Sequence, residues 1–273
     1  MEHKKLIDVK NLIASKNPKL AKWIPSFVIN YLKRILHEDQ INKFINENGH
    51  LHDAEFAEAV VHFFNLKIEM TGEENIPLTG PVILVMNHPL GGLDAVSFIA
   101  EISKRRRSDL KFIVNDLLMN LKNLNNVFVG VNKHGKNKGE VRKNIADLFK
   151  SDQMVCVFPA GMVSRKINGQ IIDLDWKKTF LTYADELENP IVPIHISGRL
   201  SPFFYRLSKI RRFFGIKTNL EMLYLSDEMF RYTDKTLHFT IGKPIYANQI
   251  PFKKDKERVQ FVKDQVYALS KNQ

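Results

Sequence analysis

The pattern of apolar positions changes once along the chain. In the N-terminal part, apolar residues recur every three or four positions, as on one face of a helix. Such a stripe over Asn30–Asn46, followed by the helix-stopping pair Asn48-Gly49, predicts one helix. Asp53 opens a second helix, whose apolar face runs from Phe56 to Phe64. We expect these helices to dock on a larger domain that follows.

From Leu66 onward, continuous apolar runs typical of buried strands alternate with amphipathic runs typical of helices. The predicted strands are Lys67–Thr71, Pro81–Met86, Lys111–Val114, Asn126–Val131, Met154–Pro159, Ile191–Ile196 and Thr236–Ile241. The predicted helices are Ala95–Lys104, Gly139–Lys150, Trp176–Leu187 and Asp255–Leu269. This alternation predicts an α/β fold with a mostly parallel central sheet flanked by helices. We expect an N-terminal helical segment over 1–65, an α/β domain over 66–250 and a C-terminal helix within 251–273.

Composition and charge limit the class of protein, the partners and the cellular compartment that are expected for this fold. With 44% hydrophobic and 26% charged residues, the chain is globular. Its net charge of +11 favours anionic partners such as nucleic acid, anionic lipid or phosphate-bearing cofactors. The single cysteine, Cys156, excludes an internal disulfide and fits the reducing cytoplasm. No apolar run approaches the length of a membrane span, and the N-terminus lacks the apolar stretch of a secretory signal.

Open α/β sheets bind ligands at the carboxyl ends of their strands, which here means the loops after Met86, Val131, Phe158 and Ile196. The first loop reads Asn87-His88-Pro-Leu-Gly-Gly-Leu-Asp94. An imidazole acts as a general base when a carboxylate holds its other ring nitrogen, and the turn between His88 and Asp94 predicts such a pair. The alternative is a hydrogen-bonded core histidine with Asp94 as a helix cap.

A second loop, from Phe158 to Arg165, also follows an apolar strand. Gly161 permits close approach of the backbone, Ser164 offers a hydroxyl, and Arg165 carries a guanidinium suited to a phosphate or carboxylate. These residues predict an anion-binding loop, with a surface arginine in a turn as the alternative.

A third loop, Gly130–Asn137, approaches the phosphate-binding pattern G-x-x-x-x-G-K-[ST]. Asn137 stands where a hydroxyl would hold magnesium, so an ordinary basic loop is predicted there. Trp176, near the start of a later helix, is expected to pack in the core or to line the pocket.

Aromatic and basic residues are interleaved over Ser201–Phe214. This composition predicts a segment that lies in a membrane interface, with rings at headgroup depth and cations on anionic lipid. The predicted contact residues are Phe203, Phe204, Arg206, Lys209, Arg211, Arg212, Phe213 and Phe214. Stacking on single-stranded nucleic acid and a core helix with a basic outer face are the alternatives.

Taken in order, these motifs resemble those of the glycerolipid (lysophospholipid) acyltransferase superfamily over about Leu66–Ile245. The stretches that carry the resemblance are NHPLGGLD, FPAGMVSR, IVPIHISGRLSPFFY and NLEMLYLSDEMF. They are most similar to the bacterial branch often labelled hemolysin-like, which is related to O-acyltransferases of ornithine and glycine aminolipids. Two features depart from the family pattern, because five residues instead of four separate His88 from Asp94 and Ala160 replaces the usual glutamate.

The resemblance implies an O-acyltransferase that moves a fatty acyl group from acyl-CoA or acyl carrier protein (acyl-ACP) to the hydroxyl of a lysophospholipid or a mono-acylated aminolipid. His88 is then the general base, Asp94 orients it, and the N–H groups of Gly91 and Gly92 stabilise the oxyanion. Substrate or phosphate binding is expected of Asn87, Gly91, Gly92, Phe158, Pro159, Gly161, Ser164 and Arg165.

The same resemblance sets the expected partners and location. Neither a cofactor nor a metal is expected, since the acyl thioester is a co-substrate. The expected partners are membrane lipids and acyl carrier protein, without nucleic acid. The expected location is the cytoplasm, peripheral on the inner face of the cell membrane. A non-catalytic membrane-binding protein on the same fold is the second hypothesis, and a nucleic-acid binder built on the charge of +11 is the third.

Overall fold

The computed structural model describes residues 5, 7–16, 18–131 and 138–272, and these form eleven α-helices and nine β-strands. The third predicted loop lies largely in 132–137, outside the described residues. The strands are β1 (Lys67–Thr71), β2 (Val82–Met86), β3 (Leu110–Asn115), β4 (Phe128–Val131), β5 (Met154–Val157), β6 (Arg165–Ile167), β7 (Gln170–Ile172), β8 (Ile191–Ile196) and β9 (Thr236–Ile241). The helices are α1 (Val9–Lys16), α2 (Pro18–Trp23), α3 (Ser26–Ile35), α4 (Glu38–Glu47), α5 (Asp53–Phe63), α6 (Gly92–Arg105), α7 (Lys138–Lys150), α8 (Thr179–Leu187), α9 (Pro202–Phe213), α10 (Leu225–Phe230) and α11 (Asp255–Ala268).

Seven strands form one sheet in the order β1-β9-β8-β2-β5-β3-β4. Every neighbouring pair is parallel except β8 and β9, so the predicted mostly parallel sheet is confirmed. The centre of the sheet is the row β8-β2-β5, whose carboxyl ends lie side by side. The loops that follow these three strands therefore meet at one edge of the sheet, where the candidate chemistry was predicted.

The central strands are buried on both faces, as in parallel sheets covered by helices. Every residue of β2 and of β8 is buried. Side chains alternate between the faces of a strand, so Ile83 and Val85 point to one side, where they pack in a cluster with residues of α7, α8 and α11. On α6, Phe98 contacts the rings of Phe112 and Phe239. Burial on both sides holds the strand ends of the site in fixed positions.

The described residues group into two compact units. One unit contains residues 1–51 and 200–233 and is helical, with α1–α4, α9 and α10. The other contains residues 52–199 and 234–273 and holds the sheet, α5–α8 and α11. The predicted boundaries at 65/66 and 250/251 stay a prediction.

The single helix predicted over Asn30–Asn46 is two helices, α3 and α4, separated at His37. His37 has a left-handed backbone with φ of 50°, which no helix accommodates. Its ring stacks on Phe230 with centroids 3.8 Å apart, and its Nε2 lies 3.1 Å from Asp227 Oδ1. Tertiary contacts of His37 thus interrupt the helix, although the apolar periodicity of the sequence continues through this position.

A two-stranded hairpin, β6–β7, follows the second predicted loop and was not among the predicted elements. Asn168 and Gly169 form its turn, with φ of 49° and 86°. An Asn-Gly pair with positive φ at both residues is the preferred two-residue hairpin turn. The pairing of Arg165 with Ile172 places Ser164 and Asp173 next to each other at the open end of the hairpin.

Candidate active site

The His-Asp pair lies at the carboxyl end of β2. His88 Nδ1 and Asp94 Oδ2 are 2.9 Å apart, and Asp94 is 0% exposed at the start of α6. The same carboxylate oxygen accepts the N–H groups of Leu90 and Gly91 at 2.9 and 3.0 Å. Gly91 has φ of 77° and ψ of −129°, a conformation that glycine adopts readily. The glycine turn therefore folds the chain back so that Asp94 reaches the imidazole across five intervening residues.

The hydrogen bond to Asp94 fixes the tautomer of His88. A carboxylate only accepts hydrogen bonds, so Nδ1 carries the proton and Nε2 keeps the lone pair of a neutral ring. Nε2 has no hydrogen-bond partner within the part of the chain that the structure describes, and the His88 side chain is 18% exposed. This arrangement suits a general base that takes a proton from a bound hydroxyl.

Burial raises the pKa of the Asp94 carboxyl. Hydrogen bonds from His88 and from the two backbone N–H groups oppose that rise. Asp94 Oδ1 has no hydrogen-bond partner among the described residues, so all the support reaches the carboxylate through Oδ2.

The Phe158 loop follows β5, the neighbour of β2, and contacts the imidazole directly. The rings of Phe158 and His88 stack with centroids 4.0 Å apart and planes 22° from parallel. Phe158 also stacks on Phe112 of β3, at 5.6 Å. The predicted substrate-binding residue Phe158 thus restricts the orientation of the His88 ring.

The two predicted loops are joined through their main chains as well. The Ser164 N–H donates to the His88 carbonyl at 2.7 Å. The Gly161 N–H donates to the Phe158 carbonyl at 2.9 Å, which closes a turn that includes Pro159 and Ala160. The loops predicted to be catalytic and anion-binding therefore lie side by side.

A family model described as acyltransferase matches residues 11–273 of this sequence. The chain belongs to the acyltransferase family. It is 44% identical over 267 residues to a lyso-glycine lipid O-acyltransferase of Bacteroides thetaiotaomicron, with 97% of each chain covered. It is 42% identical over 265 residues to a lyso-glycine lipid O-acyltransferase of Phocaeicola vulgatus, with 97% of this chain and 95% of the relative covered. The predicted resemblance to acyltransferases is confirmed.

A solved structure supports the fold of this acyltransferase. It is the 1-acyl-sn-glycerophosphate (LPA) acyltransferase PlsC of Thermotoga maritima, which aligns with a TM-score of 0.53 at 17% identity. The alignment covers 90% of this chain and 88% of that one. At 17% identity the comparison shows similarity of fold alone, and this fold agrees with the α/β architecture described above.

Other predicted site residues of the acyltransferase have structural partners. The Asn87 side chain accepts the Ile196 N–H at 2.7 Å and donates to the Ile196 carbonyl at 2.9 Å, which ties β2 to β8. Arg165 is only 2% exposed, and its Nη1 donates to the Val163 carbonyl at 2.6 Å. The guanidinium is thus buried instead of presented in an open loop. The Gly91 N–H is held by Asp94, whereas Gly92 is the first residue of α6, where an N–H has no acceptor within the helix.

The predicted membrane-facing residues of the acyltransferase divide into two groups. Phe203, Arg206, Lys209, Arg212, Phe213 and Phe214 are exposed. Phe204 is buried, and Arg211 is buried in a bidentate ion pair with Glu221, with Nε 2.8 Å from Oε2. The structure therefore places Phe204 and Arg211 inside the helical unit instead of on its surface. No helix within the described ranges is long and apolar enough to cross a membrane.

One buried residue of the site was missed by sequence reasoning. Asp173 accepts the His88 N–H at 3.2 Å and the Ser164 hydroxyl at 2.6 Å through Oδ1. It also accepts the Trp176 Nε1–H at 2.9 Å through Oδ2, so Trp176 is a buried core residue with a defined partner. The signal for Asp173 is the Asn-Gly turn, whose two-residue register places Asp173 beside Ser164.

Proposed function

We propose that this acyltransferase moves a fatty acyl group from acyl-CoA or acyl-ACP to the hydroxyl of a lyso-glycine lipid, with His88 as the general base. The observation that carries the proposal is the 2.9 Å His88–Asp94 pair, which leaves Nε2 as the acceptor of a proton. The lyso-glycine lipid O-acyltransferase activity for which two relatives are named supports this acceptor, since both are more than 40% identical over nearly the whole chain.

The proposed reaction uses the described residues as follows. His88 Nε2 takes the proton of the acceptor hydroxyl while its oxygen attacks the thioester carbonyl carbon. The tetrahedral oxyanion receives a hydrogen bond from the Gly92 N–H at the start of α6, where the helix dipole also favours negative charge. Collapse of the intermediate expels the thiolate, which recovers the proton from the imidazolium. His88 and Asp94 are then back in the protonation states in which the cycle began.

The charge around the Phe158–Gly161 turn favours an anionic acceptor headgroup. Ala160 lacks the carboxylate that the family usually has at this position, so that negative charge does not repel the carboxylate of a glycine headgroup. Lys177 Nζ lies 3.4 Å from the position that a Cβ on Gly161 would take. The ammonium of Lys177 beside this turn provides a counter-charge for a headgroup carboxylate. Arg165 does not take this role in the proposal, because its guanidinium is buried and donates to main-chain carbonyls of the same loop.

Docking on a membrane completes the proposal, because the acceptor is a lipid. The exposed face of α9 combines aromatic rings with the cations Arg206, Lys209 and Arg212. Phe213 is 84% exposed and Phe214 is 70% exposed. Trp23 and Phe27 of the same helical unit are equally exposed large apolar side chains. Rings and cations together fit an anionic bilayer surface better than water.

Acyl transfer to a panel of acceptors tests the proposed substrate. The purified protein is assayed with radiolabelled acyl-CoA and acyl-ACP on lyso-glycine lipid, mono-acylated ornithine lipid and lysophosphatidic acid. We expect the highest kcat/KM with lyso-glycine lipid. A preference for lysophosphatidic acid, or no transfer to any acceptor, contradicts the proposal.

A matched pair of lysines tests the headgroup contact. We expect Lys177→Gln to raise KM for lyso-glycine lipid about 3- to 10-fold, because a partly exposed charge contact is lost. Lys178→Gln is the control, since Lys178 carries the same charge one position further and pairs with Asp255. Equal KM values for both variants and the wild type contradict a role of Lys177.

A further inference from the structure

Asp173 forms hydrogen bonds with both loops of the site, the His88 loop and the Phe158–Arg165 loop. It is 2% exposed and lies between β7 and α8. Its Oδ1 accepts both the His88 N–H and the Ser164 hydroxyl. The Ser164 N–H in turn donates to the His88 carbonyl. Both main-chain groups of the base are therefore fixed by the Ser164–Asp173 end of the β6–β7 hairpin.

The main chain of Asp173 is itself held by α11. The Asp173 N–H donates to the Tyr267 hydroxyl at 2.7 Å, and Lys263 Nζ donates to the Asp173 carbonyl at 2.8 Å. Lys263 also donates to the Leu174 carbonyl at 3.1 Å. With the Trp176 indole on Oδ2, every polar group of Asp173 has a partner. A side chain with this many fixed contacts has little freedom to move.

We propose that Asp173 is a positioning residue for acyl transfer, acting through His88. Asp94 sets the tautomer of the imidazole, and Asp173 sets the position of the main chain that carries it. Neither oxygen of Asp173 contacts the ring nitrogen that takes the proton. Displacement of a base by a fraction of an ångström lowers the rate of proton transfer without weakening substrate binding. The inference rests on the proposed function, since it takes His88 as the base.

Asp173→Asn tests the proposal because it keeps the size of the side chain and removes one acceptor. An amide has a single carbonyl oxygen, so either the His88 and Ser164 donors at Oδ1 or the Trp176 indole at Oδ2 must lose an acceptor. Asp173→Ala removes both acceptors and shows the effect when the His88 N–H loses its partner for certain. We expect kcat to fall about 10- to 100-fold with KM for donor and acceptor within about threefold of the wild type. Asp175→Asn makes the same charge change at an exposed position nearby and is expected to leave kcat unchanged.

Rates are compared per folded molecule, measured by far-UV circular dichroism. A kcat equal to the wild type in folded Asp173→Asn and in folded Asp173→Ala overturns the proposal, and so does a rise in KM without a fall in kcat. If neither Asp173 variant folds, Tyr267→Phe replaces them, because it removes the hydroxyl that accepts the Asp173 N–H and also interacts with Ser164 and the Asp173 side chain. We then expect a fall in kcat of about 3- to 10-fold with KM unchanged, and an unchanged kcat overturns the proposal.

The His88→Ala variant separates this inference from the proposed function. If His88→Ala keeps wild-type activity, the assignment of the base is wrong and the positioning role falls with it. If His88→Ala loses activity while folded Asp173→Asn and Asp173→Ala keep their kcat, the base stands and only the role of Asp173 is overturned.

Discussion

Asp94 combines full burial with three hydrogen bonds to one oxygen. Burial raises the pKa of this carboxyl, which means that holding it ionised opposes folding. The carboxylate nevertheless selects the required tautomer of His88, because an acceptor at Nδ1 keeps the proton there and leaves the lone pair on Nε2. Function and stability are therefore in conflict at Asp94, as at many active sites.

Asp94→Asn separates the two effects. We expect kcat to fall about 10²- to 10⁴-fold, because an amide lacks the negative charge that stabilises the imidazolium formed when His88 takes a proton. The folded-state pKa of Asp94 lies above its unfolded value, so the wild type loses stability relative to the variant as pH rises through that folded pKa. In melts run at about pH 8, the melting temperature of Asp94→Asn is expected to equal or exceed that of the wild type. In melts run at about pH 4, the difference between the two proteins is expected to be smaller.

Thermal melts at both pH values provide the check. A variant that loses stability relative to the wild type as pH rises contradicts the sign of this linkage. Full activity in Asp94→Asn contradicts the role assigned to the pair.

At the residue scale, the sequence predicted that His88 and Asp94 would pair, because they share one short loop after a predicted strand. The burial of Arg165 was not predicted, because it depends on how the surrounding loop folds around the side chain. The stacking of Phe158 on His88 joins loops about seventy positions apart, and sequence spacing alone does not reveal such a contact.

Among the elements, the β6–β7 hairpin has the most direct effect on the site. Gly169 has φ of 86°, and no atom lies within 4 Å of a Cβ built there. Substitution is thus limited by backbone strain and not by space. Gly169→Ala is expected to lower the free energy of unfolding by about 1 kcal/mol.

Gly139 provides the matched control for this substitution. It lies in α7 with equally open space around a Cβ and without a positive φ. Gly139→Ala is expected to raise the free energy of unfolding by up to about 1 kcal/mol, because alanine favours the helix. Urea denaturation measures both, and a shift of the two midpoints in the same direction contradicts the strain argument.

The predicted strands of the main sheet correspond to observed strands because long apolar runs leave few alternatives to a buried strand. The break at His37 was not predicted, since it depends on a ring stacked from α10. The antiparallel pairing of β8 with β9 was also not predicted, because strand direction depends on the path of the chain between them. Hydrophobic periodicity identifies elements, whereas tertiary contacts decide where they break and how they pair.

For the whole molecule, the charge of +11 and the exposed rings of the helical unit make one prediction about lipid. Phe213→Ser combined with Phe214→Ser is expected to lower the affinity for vesicles of phosphatidylglycerol and phosphatidylcholine about 10-fold or more, because two large apolar side chains no longer enter the interface. Flotation of the protein with vesicles measures the bound fraction. The wild type is expected to bind pure phosphatidylcholine more weakly, since the cations then lack anionic partners.

Phe252→Ser is the control for this test, because Phe252 is exposed but belongs to the other unit. It should bind vesicles like the wild type. Equal loss of binding in the control, or no loss in the double variant, contradicts docking through the end of α9.

The proposed acyl transfer depends on the proton-accepting role of His88. The most direct test is kcat for acyl transfer to lyso-glycine lipid by His88→Ala at saturating donor and acceptor, beside His50→Ala, which removes an exposed histidine from a turn. We expect His88→Ala to lose about 10²- to 10⁴-fold in kcat while its melting temperature and vesicle binding are retained, and His50→Ala to be unchanged. A folded His88→Ala protein with a kcat within about threefold of the wild type would contradict the account.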